Sequence, residues 1–63
     1  MNYIIKNEQG EIHEVCDSTK DLKKFVLKQT IELGDNRVES LDDPFIDFAQ
    51  ILNDYGFKFE MVK

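Results

Sequence analysis

The chain reads as an α+β domain with the order β-β-α-α-β, a three-stranded sheet with two helices packed on one face. Two short runs rich in β-branched and aromatic residues flank the turn-forming Asn7-Glu8-Gln9-Gly10. Two later segments repeat apolar residues at helical spacing, each with its own start and stop signals. The closing Phe57-Lys58-Phe59-Glu60-Met61-Val62 alternates like a half-buried strand.

Tyr3 to Lys6 and Ile12 to Cys16 are the expected hairpin strands. Asn at the first turn position and Gly at the fourth suit a type I turn closed by a left-handed residue. That loop sets Asn7 opposite Glu11, Ile5 opposite His13 and Tyr3 opposite Val15. Side chains alternate along a strand, so Tyr3, Ile5, His13 and Val15 share one face. Ile4, Lys6, Ile12, Glu14 and Cys16 take the other.

Ser18 is a good N-cap for the first helix, with Asp21 in the place of its reciprocal capping partner. The helix runs to about Leu33, where Gly34 ends it. Leu22, Phe25, Val26 and Leu33 form one stripe, with Leu27 and Ile31 to one side, an arc broad enough to meet a sheet and a second helix. After the polar stretch from Asp35 to Ser40, Asp43 as N-cap and Pro44 at the first helical position start the second helix. Its apolar face is Phe45, Phe48, Ile51, Leu52 and Tyr55, and Gly56 stops it. In the third strand Phe57, Phe59 and Met61 point inward. This strand adds to the hairpin, because two strands alone are marginal in water. With antiparallel helices it points the same way as the first strand. It then pairs parallel to that strand, the favoured arrangement, or antiparallel to the second.

Sixty-three residues make a single domain over 1–63, near the size where one core is only just sufficient. The one cysteine, Cys16, forms no internal disulfide, and a lone thiol suits a reducing compartment. Residues Met1 to Lys6 lack the basic and apolar regions of a signal peptide. No apolar run approaches the roughly 18 residues of a membrane span. A cytoplasmic protein is expected. Net charge is −5. Residues 1–33 hold five lysines against six acids, and residues 34–63 hold three basic residues against seven acids. Nucleic acid and anionic membranes are therefore disfavoured, and a partner with a basic face is favoured.

Motifs for chemistry are weak. His13 and Cys16 stand three apart on a strand and point to opposite faces, so they cannot grip one ion, and a structural zinc site wants four such ligands. The stretch from Asp35 to Asp43 superficially resembles a calcium loop. It lacks the glycine at the sixth position, places Arg37 where a ligand belongs, and has no closing glutamate. There is no Gly-rich phosphate loop, and a single histidine cannot serve every role in a nucleophilic set. No catalytic residue, metal ligand or cofactor is expected, and the protein is read as a non-enzyme.

Three surfaces remain. Asp43, Asp47, Gln50 and Asp54 line one outward face of the second helix, and Glu39 and Asp42 can extend it. A solvated helix face is the ordinary meaning of such a stripe. The sharper one is imitation of a phosphate backbone, although its charges are sparser than those of a DNA strand. On the open face of the sheet, Ile4 and Ile12 lie close to Cys16 and can seed a self-association patch, giving a homodimer. Ile46 is expected to be exposed. Lys20, Lys23, Lys24 and Lys28 concentrate on the first helix and support a nucleic-acid role in third place, without an exposed aromatic for base stacking. The leading expectation is an interaction protein that binds, and in doing so can inhibit, another protein. A self-associating accessory module comes second.

Seven lysines to one arginine, a single alanine and many Asn, Ile and Phe resemble small acidic proteins of phages and mobile elements of AT-rich bacteria. The resemblance is one of composition. It implies the company of host-enzyme inhibitors and antitoxins, and it carries over no residue roles.

Overall fold

Asn7 organises the first turn. Its side-chain Oδ1 accepts from the amides of Gln9 and Glu11 at 3.0 and 2.9 Å. Gly10 donates to the Asn7 carbonyl at 3.0 Å and sits at φ +83°, a conformation other residues adopt only with strain. The computed structural model describes residues 2–62; Met1 and Lys63, the ends of the domain expected over 1–63, lie outside the described residues. The elements are β1 (Asn2–Lys6), β2 (Ile12–Cys16), α1 (Thr19–Leu33), α2 (Phe45–Asp54) and β3 (Lys58–Val62). The order β-β-α-α-β and the α+β class are those read from the sequence.

The hairpin register starts as expected and then slips by one. Asn7 donates to the Glu11 carbonyl at 2.9 Å, and Lys6 pairs with Ile12. Beyond that point Ile5 pairs with Glu14, Ile4 with Val15 and Tyr3 with Cys16. His13 is the extra residue of a β-bulge, which leaves it without a partner on β1 and reverses the alternation that follows. This corrects the expected pairing of Ile5 with His13 and of Tyr3 with Val15. Cys16 turns inward at 3 % exposure and Val15 outward at 52 %. The bulge aims the His13 ring at Phe25 and Phe57, with centroids 5.6 and 4.9 Å away.

The sheet order is β2-β1-β3, and β3 is antiparallel to β1. The partner strand is the favoured one, and the direction is opposite to that expected. The expectation assumed that the chain reverses at each step from β2 to α1 to α2 to β3, so one of those steps is not a reversal. The connection of residues 34–44 is the one long enough not to impose it. It also carries an unanticipated core residue: Val38, the lone apolar side chain between Asp35 and Ser40, is buried.

Both helices end as their glycines predict. The Ser18 hydroxyl oxygen accepts from the Asp21 amide at 3.2 Å. Gly34, at φ +71°, donates to Ile31 while Asp35 donates to Thr30, so two terminal carbonyls of α1 are satisfied. Gly56 and Phe57 repeat that pattern on Asn53 and Leu52 of α2. The start of α2 differs from expectation. Its first helical residue is Phe45, and no side chain caps it. The Asp43 carboxylate turns backward instead, accepting from the amides of Glu39 and Ser40 at 2.7 and 3.2 Å.

The helices lie on one face of the sheet, α1 over β1 and β2 and α2 against β3. The core gathers Tyr3, Ile5, Cys16, Leu22, Val26, Val38, Phe48, Ile51 and Leu52. Tyr3 Oη and Thr19 Oγ1 share a hydrogen bond at 2.9 Å that ties β1 to the first turn of α1. Thr30 is also buried, its hydroxyl donating to the Leu27 carbonyl at 2.7 Å. The buried file of α1 is thus Leu22, Val26 and Thr30 at four-residue spacing. Leu33 and Met61, both expected inward, are exposed. Leu33 lies in the last turn of α1, and Met61 lies near the end of the edge strand β3. Ile46 is exposed, as expected.

Candidate functional site

The acidic stripe does not stand free on α2. Asp43 is held by the amides of Glu39 and Ser40, which push its carboxyl below the usual range. Asp54 accepts from Arg37 Nη1. The same guanidinium forks onto Asp35, Nη2 to Oδ2 at 2.7 Å and Nε to both oxygens. Tyr55 donates its hydroxyl to Asp35 Oδ2 at 2.7 Å, and the guanidinium carbon lies 5.8 Å from the Tyr55 ring centroid. Hydrogen bonds from Arg37, then from Tyr55, hold the Asp35 carboxyl far below its ordinary value. Desolvation, reinforced by the bond to Asp35, raises that of Tyr55. The cluster of Asp35, Arg37, Asp54 and Tyr55 therefore fastens the connection to the end of α2. Its members are spread over the connection and the helix end, and no helical or strand spacing relates them.

Of the stripe, Asp47 and Gln50 remain open. With Arg37 and Ile51 they line a shallow depression of about 270 Å³. A cation therefore stands within the expected acidic face. Glu39 and Asp42 are exposed on the connection, off the helix. Bringing Arg37 into the face lowers its value as a phosphate mimic.

The lysines of α1 divide. Lys23 donates to the carbonyls of Leu41 and Asp43 at 3.0 and 2.8 Å, and its ammonium lies 5.3 Å from the Phe48 ring centroid. It is a clamp on the connection. Lys20, Lys24 and Lys28 enter no ion pair among the described residues. They follow one another at four-residue spacing, so like charges neighbour each other along the helix, costing about 0.2–0.5 kcal/mol per pair.

The open face of the sheet can be read row by row from the pairings. Ile12, Lys6 and Lys58 form one row, Val15, Ile4 and Glu60 the next, and Asn2 and Val62 the third. Ile4 and Ile12 share this face as expected. Cys16 does not; the bulge replaces it with Val15. Burial first, then Glu14, Asp21 and Asp17, raise the Cys16 thiol. Lys6 and Glu60 pair across the face at 3.1 Å. The result is an apolar patch of Ile4, Ile12 and Val15, with Val62 at its corner and both signs of charge at its margin.

Among the described residues, no group of three or more His, Cys, Asp or Glu side chains is placed to hold a metal ion. No helix among them is long and apolar enough to cross a membrane. Compared with known protein families, curated proteins and solved structures, the chain matches none.

Proposed function

We propose that this is a small acidic, non-enzymatic interaction protein that binds another protein through the open face of its sheet. What carries the proposal is the apolar patch of exposed Ile12 and Val15 beside half-buried Ile4, on the side of the sheet opposite both helices. Exposed apolar side chains scattered singly are ordinary; adjacent ones across paired strands make a surface that water solvates poorly. The acidic face is second in rank, because Asp43 and Asp54 are bound within the chain.

Self-association through the same face is the alternative, favoured by its mixed charge of Lys58 and Glu60. Size argues against it. Three strands about 4.8 Å apart and five residues long at about 3.3 Å each cover roughly 250 Å² in projection. A standard interface buries about 800 Å² on each partner. Two flat sheets stacked alone fall short, whereas a larger partner can reach past the sheet edges.

The test places a photo-cross-linking amino acid at position 15, or at position 47 on the acidic face, and exposes the tagged protein to extract of its own cells. A discrete heterologous product from position 15, lost when Ile4 and Ile12 are replaced by Lys in a variant with an unchanged melting curve, is the expected result. A product only from position 47 would move the function to the acidic face. A product only between copies would favour the self-associating module.

A further inference from the structure

The outward side of α1 is organised differently from the rest of this acidic chain. Among the described basic residues, Lys6 pairs with Glu60, Arg37 with Asp35 and Asp54, and Lys23 with two carbonyls. Three of those left over, Lys20, Lys24 and Lys28, form a single file along α1. Four residues of helix advance about 6 Å, so the attachment points of the three side chains recur at that interval. The file is a ridge between two depressions. The one toward β2 is about 450 Å³ and mixed in sign, with Glu14 and Asp21 set against the lysines. The one on the other side is about 380 Å³ and is lined by Lys24, Leu27, Lys28, Ile31, Glu32 and Leu41. Its floor is apolar, and Ile31 is 72 % exposed.

We propose that this trough docks an acidic amphipathic helix of a partner protein, a surface separate from the sheet face. Of the file, Lys24 and Lys28 line the trough; a helix with carboxylates at i, i+4 and i+8 meets these two and reaches Lys20 one turn beyond them. Apolar residues on its neighbouring file at i+3 and i+7 meet Leu27, Ile31 and Leu41. This is recognition of an amphipathic helix by a groove, with charge setting register and apolar anchors supplying contact. Glu32, next in the file after Lys28, gives the trough a direction, because a carboxylate opposite it is repelled. The net charge of −5 does not forbid an acidic ligand. Charges separated by more than about 8 Å are screened at physiological salt, and the ligand meets the lysines first. Nucleic acid fits less well, since it leaves the apolar floor uncovered and sets phosphates against Glu32. A second copy of the chain fits less well too: of the two acids on α2, Asp54 is already bound by Arg37, leaving Asp47 to face three lysines.

The test uses the full chain and a synthetic helical peptide of about 15 residues, with Glu at i, i+4 and i+8 and Leu at i+3 and i+7. Amide chemical shifts are followed during titration. Shifts confined to α1 and residues near Leu41 are expected. K24E/K28E should weaken binding by about tenfold or more, as should Ile31→Asp with the lysines intact. A peptide with Lys in place of Glu should bind K24E/K28E better than it binds the parent, a rescue that a misfolded variant cannot give. Shifts on the sheet instead of α1, no rescue, or tighter binding of a single-stranded oligonucleotide indifferent to Ile31→Asp would each overturn the proposal. I12K/V15K, which disables the sheet face, should leave peptide binding unchanged, so the two surfaces can fail independently.

Discussion

Ile4 and Ile5 are chemically identical neighbours with opposite fates. Ile5 is fully buried between sheet and helices, whereas Ile4 lies on the open side, flanked by Val15 and Glu60. Across the hairpin, Val15 and Cys16 divide in the same way, and there the division depends on one extra residue, His13. The two sides of the sheet therefore differ in what covers them and in polar content, since Lys6, Lys58 and Glu60 stand among the apolar residues of the open side. The inner one sustains the fold, and the outer one is available for recognition.

Truncation of the two isoleucines is the strongest way to break this comparison. Ile5→Ala should cost about 2–5 kcal/mol through lost transfer energy and a residual cavity. That is most of the stability of a domain this small, for which about 3–5 kcal/mol is typical of one core. Ile4→Ala, at a half-buried position of the central strand, should cost less, about 1 kcal/mol. Urea unfolding of both variants checks this. A large loss for Ile4→Ala, growing with protein concentration, would mean that the open face is covered in solution by another copy.

Deleting His13 sharpens the comparison at the bulge. Without it, Ile12 is followed directly by Glu14, Val15 and Cys16, and the observed pairs with Lys6, Ile5, Ile4 and Tyr3 become a regular ladder. The deletion should preserve both faces. It should destabilise by about 1–2 kcal/mol, since His13 meets two aromatic rings and such contacts are worth about 0.5–1.5 kcal/mol each. The readout is thiol reactivity. Cys16 is buried with a raised pKa, so it should react slowly with a thiol reagent at neutral pH in both the parent and the deletion. In V15C/C16A the thiol should react rapidly. Fast modification of Cys16 in the deletion would show that the register had slipped by one residue and turned Cys16 outward.

The bulge also marks how far the sequence could be read. The turn was legible because Asn7 and Gly10 are chosen by backbone chemistry, and the ends of α1 because Ser18 and Gly34 are. Helix periodicity located Phe48, Ile51 and Leu52. The bulge left no local signature: His13 is as compatible with a regular strand as with an extra residue, and the rings that hold it, Phe25 and Phe57, are distant in sequence. The same applies to the acidic stripe. Spacing placed Asp43, Asp47, Gln50 and Asp54 on one side of α2. It could not show that Arg37 claims Asp54 or that Asp43 bends back to Glu39, because those partners sit in an irregular connection. The open face was half legible, with Ile4 and Ile12 found and Val15 hidden behind Cys16.

Acid gives the smallest effect and sets the sheet against the connection. Asp35 and Asp43 both have folded-state pKa values below their ordinary one, Asp35 through Arg37 and Tyr55, Asp43 through the Glu39 and Ser40 amides. A depressed carboxyl stabilises the fold fully above its unfolded pKa, about 3.9 for Asp. That contribution is lost as pH falls from there through the folded value. Stability from these two groups should therefore be flat from pH 7 to 5 and decline below about pH 4. Both residues are only partly buried, so solvent screening keeps the decline shallow and salt weakens it further. D35N and D43N should each flatten part of the slope without altering the neutral plateau by more than the loss of their hydrogen bonds. The decline should also be local. The Glu39 and Ser40 amides, which depend on the Asp43 carboxylate, should lose hydrogen-exchange protection at a higher pH than the ladder amides of β1. If ladder and connection open together across the acid range, the connection is not a separate unit, and the bonds of Asp35 and Asp43 support the sheet as directly as Ile5 does.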